Sequence, residues 1–363
     1  MKILLFARSY KDMAGGIEKK SLEIAAGLAG RGHQVSIVSL DSFQDEAFYK
    51  WPAGVAWYKA DIGNPLAKAS VRERLRRLLF IRNLLKQDVD IAIGFQVGAF
   101  ALLRFSAIGL RVKVIAAERN APTLFEYINR GKLKRFFSNL LLLTSSRISI
   151  LFPEFKRHYP KYLQAKLVVT PNWVDVARDT KPSNALRSEN QILFVGRFSF
   201  QKNVECLVDA LAMMEREMEV LLIGSGDGIR DIQARAQALN LNLEFLPPTR
   251  DLTPYYKSAT LLCLPSRWEG FPNVVAEALA AGLPVVGFRG CAGISELVTT
   301  KDCGVLAEGN DDALALSLAL SDALGRGYSE GLIASSVSKY TYDNFIDAWE
   351  KACFEAVNSK YQG

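Results

Sequence analysis

An alternation of short apolar strands with helices runs along this chain twice, broken once by a polar stretch from Asp179 to Asn190. In the first series, Lys2 to Ala7 reads as a strand, Lys19 to Ala29 as a helix, Gln34 to Leu40 as a strand and Arg72 to Lys86 as a basic amphipathic helix. Ile91 to Phe95, Lys113 to Ala117 and Lys166 to Thr170 follow as strands. The second series places strands at Gln191 to Val195, Glu219 to Ile223, Leu243 to Leu246, Leu261 to Leu264, Pro284 to Val286 and Gly304 to Leu306, with a helix from Asn203 to Glu215. Strands without polar alternation are covered on both faces, and strands alternating with helices imply a parallel sheet with right-handed crossovers. The expected architecture is therefore α/β with two Rossmann-like domains, 1–170 and 171–340. The final segment, Tyr340 to Tyr361, reads as helical, and the closing stretch 341–363 is assigned as a C-terminal helix.

A chain of 363 residues also favours two domains by length. With 49% hydrophobic and 23% charged residues it has the composition of a soluble globular protein, neither disordered nor membrane-spanning. The apolar start, Met1 to Phe6, breaks at Arg8 and reads as a buried strand, not a secretory signal. Cys206, Cys263, Cys291, Cys303 and Cys353 lack metal-ligand spacing and suit a reducing compartment as small core residues. The net charge of +7 conceals a division: residues 1–170 carry +15 and residues 171–363 carry −8. Such a split marks two units with different partners.

The stretch Arg267 to Gly282 reads as a loop feeding a helix. Pro272 suits a first helical position, Asn273 can cap, good helix formers run to Ala281, and Gly282 stops the helix. Backbone N–H groups at such a start form an anion site, with Glu269 in the loop free to face a ligand and Glu277 one turn beyond Asn273 on the same face. A phosphate and a polyol fit this chemistry. Gly196-Arg197-Phe198-Ser199-Phe200-Gln201-Lys202 follows a strand and precedes a helix, which puts two cations at the carboxyl edge of the sheet.

Glu269 and Glu277, in Glu-Gly-Phe-Pro-Asn-x-x-x-Glu-Ala followed by Gly-Leu-Pro-Val-Val, resemble the E-x7-E motif of the retaining family 4 glycosyltransferases. Gly196, Arg197 and Lys202 match that family's Gly-Arg-x(4)-Lys pattern, and Gly15-Gly16 its glycine loop near the donor phosphates. The resemblance implies the GT-B fold: two Rossmann-like domains facing a cleft, with the C-terminal helix crossing back to the first. It implies a retaining, metal-independent enzyme that takes a hexose or N-acetylhexosamine from a nucleoside diphosphate, UDP first among them. By the same resemblance Glu269 contacts donor-sugar hydroxyls beside the backbone of Phe271, Asn273 and Val274, Glu277 binds the ribose, and Arg197 and Lys202 stabilise the diphosphate leaving group.

Other features keep two readings. Gly15-Gly16 equally fits an ordinary turn. Gly224-Ser225-Gly226 lacks the third glycine of a dinucleotide loop, since Ile229 stands there, and reads as a tight turn lining the nucleotide side. Glu118, at the end of a strand with Arg119 and Asn120, is a catalytic candidate or the cap of the following segment. Asp88-Val89-Asp90 copies a metal-binding Asp-x-Asp but reads as a turn, and His33 and His158 stand near no Cys or carboxylate pair, so no metal or cofactor is expected. A non-hydrolysing UDP-sugar epimerase of the same fold and a non-catalytic nucleotide-sugar-binding module are the alternative functions.

The charge division bears on the acceptor. Arg72, Arg74, Arg76, Arg77, Arg82 and Lys86 crowd one helix, and Lys132, Lys134 and Arg135 precede the apolar run Phe136 to Leu143. A solvated face plus a core helix is one reading. An anionic membrane surface carrying a lipid-linked or glycolipid acceptor is the other, with the enzyme peripheral on the inner face of the cell membrane. The basic segments lack the interleaved aromatics of a single-strand nucleic-acid binder.

Overall fold

The computed structural model describes residues 1–11, 16–175 and 190–359. Gly15 and the polar linker, Asn190 excepted, lie outside the described residues. The chain divides into two compact units, Met1–Asn172 with Asp343–Gly363, and Trp173–Tyr342, where the sequence placed the boundaries at 170 and 340.

In the first unit β1 (Lys2–Phe6), α1 (Gly16–Gly30), β2 (Gln34–Ser39), β3 (Ala56–Lys59), α2 (Val71–Leu85), β4 (Ile91–Phe95) and α3 (Gln96–Ser106) come first. Next are β5 (Lys113–Ala117), α4 (Gly131–Leu142), β6 (Arg147–Ile150), α5 (Lys161–Gln164) and β7 (Leu167–Val169), with single 3-10 turns at Pro122–Glu126 and Pro153–His158. Among the described residues the strands form one parallel sheet in the order β3-β2-β1-β4-β5-β6-β7. Helix α2 starts on a reciprocal cap: Ser70 Oγ accepts the Glu73 N–H at 3.2 Å and Glu73 Oε2 accepts the Ser70 N–H at 2.7 Å.

The second unit runs β8 (Gln191–Val195), α6 (Val204–Ala212), β9 (Glu219–Ile223), α7 (Ile229–Ala238), β10 (Leu243–Leu246), α8 (Thr253–Ser258) and β11 (Leu261–Leu264). It continues through α9 (Asn273–Ala280), β12 (Val285–Phe288), α10 (Ala292–Ser295), β13 (Gly304–Ala307), α11 (Ala313–Leu324) and α12 (Glu330–Ser335). Its sheet is parallel in the order β10-β9-β8-β11-β12-β13, so the strand order reverses between β8 and β11. Open α/β sheets bind ligands outside the carboxyl ends of the strands at such a reversal. Ile192, Leu193, Phe194 and Leu261 to Leu264 are all buried, which is why these strands carry no polar alternation.

Helix α13 (Tyr342–Asn358) lies, from Asp343 onward, with the first unit. The buried Trp349 ring lies 5.1 Å from the Arg119 guanidinium, and Glu350 accepts from Arg31 at 2.7 Å and pairs with His33 at 2.8 Å.

Two expectations need correction here. Phe136 to Leu143 is not a core segment: Phe136, Phe137, Leu140 and Leu143 are exposed on or just after α4, while Ser138 and Asn139 are buried. Nor are all the α2 cations on a solvated face. Arg77 is buried and donates to the carbonyls of Ile62 (2.9 and 2.7 Å) and Asn64 (3.1 Å), and Arg82 donates to those of Ser106 (3.0 Å) and Ile108 (2.6 Å).

Candidate active site

Three loops at the carboxyl ends of β9, β8 and β11, neighbours in the second sheet, are stitched together by backbone bonds. Gly196 N–H donates to Ile223 O at 3.0 Å, Phe198 N–H to Ser225 O at 2.9 Å, and Arg267 N–H to Gln201 O at 2.9 Å. This close approach explains the glycines. A Cβ at position 224 would stand 1.8 Å from the Gly196 carbonyl oxygen, and one at 226 would stand 2.5 Å from that of Phe198. Gly224 and Gly226 are therefore required by loop-on-loop packing, whatever else they face. Gly196 gives room to the aliphatic stem of Lys202, whose Cε would be 3.2 Å from an added Cβ.

That stem delivers the Lys202 ammonium to Glu269. Lys202 Nζ lies 2.6 Å from Glu269 Oε1, with both side chains largely shielded from water. Glu269 is only 7% exposed: the carboxylate that the sequence left free to face a ligand is buried in the loop and paired with Lys202. It also lies close to Cys291, whose thiol is pushed up first by burial and then by the Glu269 charge. Arg197, by contrast, is exposed and makes no hydrogen bond or ion pair among the described residues.

Arg267 was missed by sequence reasoning. It is buried and holds the two loops in register: Nη1 donates to Phe200 O at 2.5 Å, and Nε and Nη2 grip Asp311 at 3.2 and 2.9 Å. Its guanidinium lies 4.1 Å from the centre of the Phe200 ring. Asp311 also accepts from Asn203 Nδ2 at 2.9 Å, and Gln201 Nε2 reaches Trp268 O at 2.9 Å. Nothing in the local sequence pairs Arg267 with Asp311, because only the fold brings them together.

Pro272, not Asn273, caps α9. Asn273 is the first helical residue, and the Pro272 cap makes no side-chain capping bond. The helix ends as expected: Gly282 adopts φ +73° and donates to Leu279 O at 2.9 Å, while Leu283 N–H reaches Ala278 O at 2.9 Å. Phe271 is buried edge-on to Tyr340, Val274 is half-buried in the first turn, and Glu277 Oε2 accepts from Tyr256 OH at 3.0 Å.

In the first unit, Gly16 is the exposed first residue of α1. Glu118 follows β5 and is half-buried, and burial pushes its carboxyl up to about 7 against the opposing pull of Arg119 and Arg135. Arg119 is buried and donates to Thr170 O at 3.0 Å and Thr170 Oγ1 at 2.8 Å. Asp88 adopts φ +55°, and Asp90 accepts the Lys2 N–H at 2.8 Å, so both serve the turn before β4. Among the described residues no three His, Cys, Asp or Glu side chains are grouped to hold one metal ion.

Two doubly wound parallel α/β units with a C-terminal helix assigned to the first define a GT-B glycosyltransferase fold. Residues 189–325 match the family described as "Glycosyl transferases group 1", and residues 14–178 that described as "Glycosyltransferase Family 4". The chain belongs to the group 1, family 4 glycosyltransferases. It is 29% identical to an uncharacterized glycosyltransferase of Haemophilus influenzae over 82% of this chain and 84% of that protein. A Campylobacter jejuni alpha-1,4-N-acetyl-D-galactosaminyltransferase, named for a PP-undecaprenol-linked glycan, is 22% identical over 95% of this chain and 97% of its own. The Anabaena HepE structure with UDP and glucose superposes with a TM-score of 0.75 at 16% identity, covering 97% of this chain and 98% of that one.

Proposed function

We propose that this glycosyltransferase is a retaining, metal-independent enzyme. It moves a hexose or N-acetylhexosamine from a nucleoside-diphosphate sugar, UDP first, to a hydroxyl of a lipid-linked or glycolipid acceptor in cell-surface polysaccharide or lipopolysaccharide assembly. The observation that carries this is the Lys202–Glu269 pair at the strand-order reversal of the second sheet, with Glu269 three residues before the cap of α9. As the bond from the anomeric carbon to the diphosphate oxygen breaks, negative charge grows on the leaving phosphate. Arg197, Lys202 and the N–H groups at the start of α9 (Asn273, Val274) offset that charge, the role a metal ion has elsewhere. Glu269 orients donor hydroxyls and Glu277 the ribose. Gly196, Gly224 and Gly226 let backbone come close to the donor, and the acceptor oxygen adds on the face the phosphate leaves, giving up its proton to that phosphate.

The similarity to HepE, solved with UDP, supports the donor, and the Campylobacter relative's name supports an acceptor on a lipid diphosphate. The exposed Arg72 and Arg76, in a first half carrying +15, support work at the anionic inner face of the cell membrane, at about 1 kcal/mol per cation near the surface. Among the described residues no helix is long and apolar enough to cross a membrane. The test is incubation with UDP-sugars and lipid-diphosphate glycans in EDTA, with the product anomer read by NMR. Acceptor-dependent UDP release with retained configuration is expected. Epimer formation, binding without release, or activity that needs manganese would overturn the reading.

A further inference from the structure

Helix α4 is built inside out. Leu133, Phe136, Phe137 and Leu140 recur at helical spacing on one face and are 52%, 60%, 58% and 52% exposed, while the opposite face buries Gly131, Ser138, Asn139 and Leu142. An amphipathic helix of a globular domain normally turns the other way, and rolling about its axis would bury this stripe. The roll is blocked. Arg135 reaches inward to the carbonyls of Pro122 (2.8 Å) and His158, and its guanidinium lies 5.8 Å from the centre of the Phe125 ring. At the helix start a Cβ on Gly131 would stand 1.6 Å from the Phe125 carbonyl oxygen, so only glycine permits this seat.

The surroundings say what covers the stripe. Lys132 and Lys134 are exposed beside it, and no acidic residue occurs between Glu126 and Glu154. The crossovers through α2, α3 and α4 step the same way along the sheet, so right-handed connections put all three helices on one face. Arg104 of α3 donates to Thr144 O just past α4 at 3.1 Å. That face thus joins the apolar stripe to the exposed cations of α2. A second copy of this chain fits poorly, because a two-fold interface would bring the lysine-rimmed patch against itself. A surface with apolar depth and anionic headgroups matches both the stripe and its rim.

We infer that α4 is a membrane-inserting element, seating Leu133, Phe136, Phe137 and Leu140 in the interface of an anionic bilayer. The inference rests on the lipid-borne acceptor proposed above and adds an apolar, salt-resistant contact to the electrostatic one. It is tested by flotation of the full chain with phosphatidylcholine vesicles, with and without phosphatidylglycerol. Phe136→Ser/Phe137→Ser and Lys132→Gln/Lys134→Gln are compared with the unchanged protein at low salt and at ~0.5 M salt, where exposed charges are screened. Both pairs are exposed, so thermal unfolding and its shift by UDP, a property of the second unit, should not change. The double serine protein should lose roughly tenfold or more in vesicle affinity and nearly all binding at high salt. The double glutamine protein should lose mainly the preference for the anionic lipid. Unchanged binding by the serine protein overturns the inference, as does an unchanged protein that ignores vesicles and is a dimer which those substitutions make monomeric. Vesicle binding through α4 by a chain whose unfolding UDP does not shift would instead sink the donor reading and leave α4 intact.

Discussion

Lys202 and Glu269 are 67 residues apart in the chain and 2.6 Å apart in the fold, each the ionic partner of the other. Because both side chains are shielded, removing one leaves the other charged without a partner in a poorly solvated loop. Breaking a buried pair costs about 3–5 kcal/mol, whereas removing both members costs much less. Lys202→Ala should lower the unfolding free energy of the second unit by roughly 3 kcal/mol, and adding Glu269→Ala should recover part of that loss. Urea denaturation of the two single variants and the double variant reads the coupling. Strictly additive losses would mean that the pair is not held in solution.

Arg267 touches neither Lys202 nor Glu269 through a polar bond, but it ties the backbone of one loop to the other through Phe200 O and Asp311. Its planar fork cannot be matched by an ammonium. Arg267→Lys should therefore lower kcat by about 10–100-fold while changing donor KM little, since a misplacement near 1 Å has effects of that order. Asp311→Asn should act the same way more mildly. A loss confined to KM would show that Arg267 serves donor binding and not loop position.

Much of this fold was legible because its strands are buried on both faces: the expected limits for Gln191–Val195 and Glu219–Ile223 are the observed ones. Strand β3 was not read, since its four residues at the sheet edge alternate between exposed and half-buried and its apolar stretch is short and ends at Lys59. The apolar run from Phe136 to Leu143 was visible in the sequence, but such a run reads the same whether its apolar residues turn in or out. What decides its direction is Arg135 reaching carbonyls at Pro122 and His158, contacts made across the fold. The same limit applied at the site. Lys202 and Glu269 were each found from local motifs, but their pairing, and the Arg267–Asp311 clamp spanning 44 residues, are tertiary facts.

Glu118 gives a pH signature. Its carboxyl sits near 7 in the folded protein against an ordinary 4.5, because burial outweighs Arg119 and Arg135. The folded chain thus keeps this proton after the unfolded chain has released it. Stability falls as pH rises from the unfolded value through the folded one, and is level above that. The contribution is on the order of 3 kcal/mol across that window. Glu118→Gln should remove this fall and leave the first unit more stable than the unchanged protein at pH 8. Parallel stability curves for the two proteins from pH 4.5 to 8 would show that Glu118 ionises normally.

Glu277 offers the most direct reading of donor affinity, because Tyr256 OH donates to its Oε2 at 3.0 Å and orients the carboxylate on the first turns of α9. If that carboxylate binds a ribose hydroxyl, Glu277→Gln replaces a charge-assisted bond by a neutral one and Glu277→Ala removes it. The charged bond is worth about 1.5–3 kcal/mol, so the alanine variant should raise the UDP dissociation constant roughly 10–100-fold. Tyr256→Phe removes only the bond that orients the carboxylate, and should weaken UDP by a smaller factor, near threefold, from about 0.5–1 kcal/mol. Calorimetry with UDP and with UMP separates ribose from diphosphate contacts: both ligands should weaken by the same factor in the Glu277 variants. Equal affinity of the unchanged and Glu277→Ala proteins for UDP would remove Glu277 from the donor site.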